Sequence, residues 1–196
     1  MRLFVGVAPP AAVLDDLDAV CAPLRPSRED LRWTSREFWH ITLAFLGEVA
    51  EEKLVRLMPR LERAARRHLA FGLSLAGAGA FPGPARANVL WMGLSGDRKA
   101  LGELAMSVSA GARRAGAPPP DEGRRYRPHV TLARCRAPVD VRPIVAELAA
   151  YQGPVWAVEE IYLIRSTLAH DTRAREGQDR APRYEPLSSW KLRPPA

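Results

Sequence analysis

A chain of 196 residues with 47% hydrophobic and 26% charged side chains has the apolar content for a buried core and fits one domain or two tightly joined lobes, which excludes a disordered or fibrous protein. The 29 Lys and Arg outnumber the 22 Asp and Glu, and the formal net charge of +7 favours an anionic partner such as nucleic acid or a phosphate ester. Two cysteines, Cys21 and Cys135, lie far apart without CxxC spacing, against a disulfide framework or a zinc knuckle, and no run of about 18 apolar residues predicts a membrane span.

In chain order, Leu3 to Ala8 is an apolar run ended by Pro9 and Pro10 and predicts a first strand. The same run is too short for a secretory signal, so the expected compartment is the cytoplasm. Ala11 to Ala22 carries Val13, Leu14, Leu17, Val20 and Cys21 at helical spacing, and Pro23 closes it. Leu31 to Trp33 and His40 to Leu46 predict strands. Glu51 to Leu69 predicts an amphipathic helix with Leu54, Leu57, Met58 and Leu61 on one face and a kink or break at Pro59.

Phe71 to Phe81 and Val89 to Leu94 predict strands around the Pro82-Gly83-Pro84 turn, and Arg98 to Ala115 a helix. Gly116 to Arg125 mixes Gly, prolines and charges and predicts a loop. The next strand falls within Tyr126 to Cys135. Val141 to Ala150 predicts a helix, with Pro143 tolerated in its first turn. Pro154 to Ala169 predicts one or two strands, His170 to Pro182 a polar loop, and Tyr184 to Leu192 a closing strand. This order is α+β and lacks strict βαβ alternation. Neither GxGxxG nor GxxxxGK[ST] is present.

One short motif occurs twice. His40-Ile41-Thr42-Leu43-Ala44 returns, nearly half a chain later, as His129-Val130-Thr131-Leu132-Ala133. On a strand, residues i and i+2 share a face. His40 and Thr42 then point one way and Ile41 and Leu43 the other, and the second copy behaves alike. Each copy predicts a strand with an apolar back and a His/Thr front. Histidine exchanges a proton near neutral pH, and the adjacent hydroxyl can donate to an anionic oxygen. Two such fronts facing each other supply a base, an acid and two donors. A single His-x-Thr is most often a half-buried strand histidine with a satisfied partner; two of the four histidines in matching contexts change that balance. His68, at a charged helix end, and His170, in a polar loop, have no such company.

With their flanks, the two copies resemble the 2H phosphoesterase superfamily. Trp39-His40-Ile41-Thr42-Leu43-Ala44-Phe45-Leu46-Gly47 and Arg127-Pro128-His129-Val130-Thr131-Leu132-Ala133-Arg134 look like the paired motifs of the RNA 2′,3′-cyclic phosphodiesterases, formerly called 2′-5′ RNA ligases. Arg2-Leu3-Phe4-Val5, Leu163-Ile164-Arg165-Ser166 and Tyr184 also look like that family. The resemblance implies two pseudo-symmetric lobes of antiparallel sheet with outer helices around a central cleft, residues 1–196 forming one two-lobed domain. One lobe would hold both chain ends and the other the middle of the chain.

The resemblance further implies hydrolysis of an RNA 2′,3′-cyclic phosphate end to a 2′-phosphomonoester without a metal or other cofactor. It makes His40 the proton donor and His129 the proton acceptor, with Thr42 and Thr131 binding phosphate; the residues by themselves do not say which histidine does which. The reverse reaction would be 2′-5′ ligation. Arg127 and Arg134 flank the second motif as substrate-binding candidates or ordinary surface residues, and Trp33, Trp39 and Phe45 are candidates either for base stacking or for the core. The expected partner is RNA or a nucleotide with a cyclic phosphate, the expected state a monomer. Competing readings are a phosphodiesterase for a small cyclic nucleotide, a non-catalytic RNA binder, and a histidine metal site, which lacks Cys or carboxylate partners at ligand spacing.

Overall fold

The computed structural model describes residues 1–120, 125–167 and 183–195. The strands are β1 (Arg2–Val7), β2 (Leu31–Trp33), β3 (Ile41–Glu48), β4 (Phe71–Phe81), β5 (Ala87–Gly96), β6 (Val130–Val139), β7 (Trp156–Val158), β8 (Glu160–Thr167) and β9 (Arg183–Lys191). The helices are α1 (Ala11–Cys21), α2 (Leu54–Ala65), α3 (Arg98–Arg114) and α4 (Arg142–Glu147). The strands join in the order β7-β4-β5-β6-β3-β1-β8-β9, with β2 added beside β6, and every pairing between these strands is antiparallel.

The sheet has a seam. β3 meets β6 through one residue pair, Ile41 with Val130. On one side lie β1, β3, β8 and β9, from the two ends of the chain; on the other lie β2 and β4 to β7. This is the α+β, two-lobed antiparallel arrangement that the resemblance implies.

Helices seal the back of both halves. Val13, Leu17 and Cys21 recur at four-residue spacing, so α1 buries one stripe, and burial pushes the Cys21 thiol up to about 12. Helix α2 buries Leu57 and Leu61 and packs on α3, which buries Leu101, Leu104 and Val108 and in turn covers β3. Each such leucine contributes about 2 kcal/mol of apolar burial. Among the described residues, no helix is long and apolar enough to cross a membrane.

Most predicted elements are present with ends moved by a few residues. Pro154 to Ala169 resolves into two strands, β7 and β8, within its described part, and the predicted loop 170–182 lies outside the described residues. Of the kink or break expected at Pro59, the break is corrected: α2 continues through it. Pro59 cannot bond the carbonyl of Val55, and Val55 is 79% exposed, so the freed carbonyl lies on the watered side of the helix.

Candidate active site

Both His-x-Thr motifs enter at the seam. His40 and His129 immediately precede the paired residues Ile41 and Val130, so one pairing brings the two histidines to the same place. Each motif then carries an irregularity at its leucine. On β3, Thr42 pairs with Gly6 and Ala44 with Val5, which leaves Leu43 without a counterpart. On β6, Thr131 pairs with Trp91 and Ala133 with Leu90, which leaves Leu132 without one. The extra residue shifts the alternation by one. Leu43 and Ala44 are both buried, as are Leu132 and Ala133. The next residue of each strand, Phe45 or Arg134, therefore returns to the His/Thr face. Phe45 pairs with Phe4 and Arg134 with Val89, and these partners lie on the same face as Gly6 and Trp91, the partners of the two threonines.

The two imidazoles are held by the same device. Nδ1 of His40 lies 2.7 Å from the Phe38 carbonyl oxygen, and Nδ1 of His129 lies 2.7 Å from the Arg127 carbonyl oxygen. A carbonyl oxygen only accepts, so Nδ1 carries hydrogen in both rings and donates it. The tautomer of the neutral ring is then set, and Nε2 is the ring atom left to take up or give a proton. Nε2 of His40 is 3.1 Å from Thr42 Oγ1. Thr42 can donate to a neutral ring or accept from a charged one.

Aromatic rings hold both histidines in place. His40 stacks on Phe4 at a centroid distance of 4.6 Å and meets the edge of Tyr184 at 5.3 Å. His129 meets Phe81 at 5.1 Å and Trp91 at 6.1 Å. Trp91 reaches this position across Gly79, where a Cβ would stand 2.3 Å from the indole. Burial lowers the affinity of His40 for a proton below its ordinary level, and positive charge on His129 and Arg134 pushes the same way, against the Phe38 hydrogen bond. Burial also lowers His129, again with help from Arg134 and against its carbonyl bond. Arg134 also acts on Tyr184, whose phenol is raised by burial and pulled back by Arg134 and Arg2. One guanidinium thus faces both imidazoles and the tyrosine.

The predicted site residues are not equally placed. His40, Thr42, His129, Thr131 and Arg134 share one face of the seam. Arg127 holds His129 through its main chain, and its exposed side chain lines an adjoining cavity of about 910 Å³ that Thr42, Phe45 and His129 also border. Of the stacking candidates, Phe45 alone lines that cavity. Trp39 is 3% exposed and belongs to the core, and Arg25 lies over the Trp33 ring. His68 bonds Ser107 Oγ at 2.8 Å, away from the site, and His170 lies outside the described residues.

Phe81, Trp91 and Tyr126 lie at this site although no motif reveals them, and Phe4 lies in a segment that the resemblance covers without giving it a role. Phe4, Phe81 and Trp91 come from three strands and meet the histidines through strand pairing, while Tyr126 lies ahead of β6. Tyr126 donates its hydroxyl to the Thr42 carbonyl oxygen at 3.0 Å, filling the place that β6 vacates where β3 departs from it. Burial raises its phenol, so it stays a donor at every physiological pH.

The profile of the 2′-5′ RNA ligase superfamily matches residues 9–169. An Escherichia coli (strain K12) protein named RNA 2′,3′-cyclic phosphodiesterase is 31% identical over 191 residues, covering 97% of this chain and 96% of that protein. A crystal structure of a Thermus thermophilus protein superposes with a TM-score of 0.78 at 28% identity over 99% of both chains. The E. coli LigT structure complexed with 3′-AMP superposes with a TM-score of 0.74 at 30% identity over 97% of both chains.

Proposed function

The chain belongs to the 2′-5′ RNA ligase superfamily, and from that premise we propose that it hydrolyses RNA 2′,3′-cyclic phosphate ends to 2′-phosphomonoesters by metal-independent acid–base catalysis. The observation that carries this reading is the pair of imidazoles at the seam, each with Nδ1 tied to a carbonyl and Nε2 left for proton transfer. The relatives' shared name, RNA 2′,3′-cyclic phosphodiesterase, supports the substrate class.

In the proposed reaction, Nε2 of His129 takes a proton from water as its oxygen bonds to phosphorus. The bond from phosphorus to the 3′ oxygen breaks, and that oxygen takes a proton from Nε2 of His40. The product carries a 2′-phosphate and a free 3′ hydroxyl. The roles of the two rings follow the family resemblance, and Thr42 Oγ1 is placed to accept from His40 in its charged form. Thr42 and Thr131 donate to the non-bridging oxygens, and Arg134 neutralises their growing charge. Run forwards with an RNA 5′ hydroxyl attacking phosphorus in place of water, the same steps give 2′-5′ ligation. Residues 1–196 act as one two-lobed unit, because each half supplies one histidine.

The test is incubation with an oligoribonucleotide ending in a 2′,3′-cyclic phosphate, followed by identification of the product end. We expect a 2′-phosphate, and the same rate with a chelator present. A 3′-phosphate product would reverse the assignment of the leaving oxygen, and strong inhibition by the chelator would replace the metal-free scheme. Binding of the RNA without turnover would identify a non-catalytic RNA binder.

The electrostatics set a pH dependence. Turnover needs one neutral and one protonated ring, so kcat/KM is bell-shaped. Both rings are lowered from the ordinary 6.5 in the free protein, so the maximum of kcat/KM lies on the acid side of 6.5. A bound cyclic phosphate is an anion and favours the protonated rings, so the kcat profile lies at higher pH than that of kcat/KM. Steady-state kinetics between about pH 4.5 and 9 check this; a kcat/KM still climbing above about pH 8 would contradict it.

A further inference from the structure

The chain has four tyrosines, and three of them donate their hydroxyls to a protein oxygen: Tyr126 to the Thr42 carbonyl, Tyr151 to Asp16 and Tyr162 to Glu160. Tyr184 differs. Its hydroxyl has no acceptor among the described residues, although its half-buried ring is held on three sides. It stands edge-on to Phe4 at 5.1 Å, to Phe38 at 5.0 Å and to His40 at 5.3 Å. A ring fixed in this way loses little freedom when its hydroxyl meets a ligand. The surrounding charge also differs. Tyr151 and Tyr162 face carboxylates, whereas Glu185, the residue after Tyr184, is engaged by Arg165. Burial raises the Tyr184 phenol, and Arg134 from the other half and Arg2 from its own half both oppose that rise. Arg2 lies over the Phe45 ring, 4.7 Å from its centre. A neutral donor set among cations is complementary to an anionic oxygen.

We propose that Tyr184 is a further catalytic residue, whose hydroxyl donates to a non-bridging oxygen of the phosphoryl group while His40 protonates the 3′ oxygen. The proposal rests on the phosphodiesterase reading above. The cyclic diester carries one negative charge on its non-bridging oxygens. As the oxygen of water bonds to phosphorus and His129 takes its proton, a second charge develops there and remains on the 2′-phosphate product. A donor fixed at that place is worth more in the transition state than in the bound substrate, so it acts on kcat more than on KM. The phenol gives up no proton in the reaction, and its raised proton affinity keeps it a donor throughout. Tyr184 belongs to the half that carries His40, and Arg134 to the half that carries His129. The growing charge is then met from both sides of the seam.

The experiment compares wild type, Tyr184→Phe and Tyr184→Leu on an oligoribonucleotide ending in a 2′,3′-cyclic phosphate, by steady-state kinetics between about pH 4.5 and 9 and by melting curves. Tyr184→Phe keeps the three ring contacts and loses only the hydroxyl. It should lower kcat by about 10- to 100-fold, the effect of one donor to developing charge, and change KM by less than about threefold. Both limbs of its pH profile and its melting temperature should stay near wild type. Tyr184→Leu also removes the ring beside His40. It should lower the melting temperature and, by exposing the imidazole, move one limb of the profile to higher pH. A kcat for Tyr184→Phe within about twofold of wild type, a loss confined to KM, or a loss seen in Tyr184→Leu alone would overturn the proposal. If wild type turns over no cyclic end, the phosphodiesterase reading fails instead. Calorimetry with inorganic phosphate then still decides the hydroxyl: Tyr184→Phe should bind it at least about threefold more weakly than wild type, and equal affinity would reject Tyr184 as a phosphate donor.

Discussion

Replacing His40 or His129 with alanine is expected to lower kcat on an RNA 2′,3′-cyclic phosphate end by about 10³- to 10⁴-fold, at the upper end of what one positioned proton transfer contributes. The protein should still fold. His40 packs between Phe4 and Tyr184, so its removal opens a gap costing about 1–2 kcal/mol, which lowers the melting temperature by only a few degrees in a chain of this size. His129 rests edge-on against Phe81 near the cavity mouth and should cost less. The double variant should be little worse than either single one, because the two rings act on one step. Single-turnover kinetics beside melting curves check all three; near-normal turnover in either single variant would sink the two-histidine scheme.

The second large effect is at Arg134. Arg134→Ala should lower kcat/KM by about 10²- to 10³-fold, the usual effect of losing one preorganised donor to a developing oxyanion. It also carries a signature that a merely structural role would not produce. The guanidinium helps to hold both histidines below their ordinary proton affinity, so its removal lets both rise. Both limbs of the kcat/KM profile should then move to higher pH. Arg134→Lys keeps the charge without the planar fork. It should leave the limbs near their wild-type positions while recovering only part of the rate. A profile that does not move in Arg134→Ala would place the guanidinium away from the imidazoles.

The His/Thr fronts were legible in the sequence because a strand has a period of two and each His-x-Thr ends before the irregularity at the following leucine. Arg134 was harder to place. Counted by strict alternation from His129 and Thr131, it belongs to the opposite face. Leu132 reverses that, and nothing in Leu132-Ala133 distinguishes a bulge from a regular step, since the register is decided by the partner strand. The same holds for Leu43 and Phe45. The roles of Phe4 and Trp91 were hidden for a related reason: their place beside the histidines depends on long-range strand pairing. Trp39, beside His40 in sequence, points into the core, as alternation from His40 requires. At Pro59 the local rule gave way to tertiary packing, because Leu57 and Leu61 bury the helix on either side of it.

The single rung that joins the two halves has a mechanical meaning. A rotation of one half against the other about Ile41 and Val130 would move the residues beside that pair least, as an axle moves least at its centre. The residues beside it, His40 and His129, can keep a constant spacing while the distant rims part and close. A long polymer could thus be admitted and released without detuning the distance between the two proton carriers.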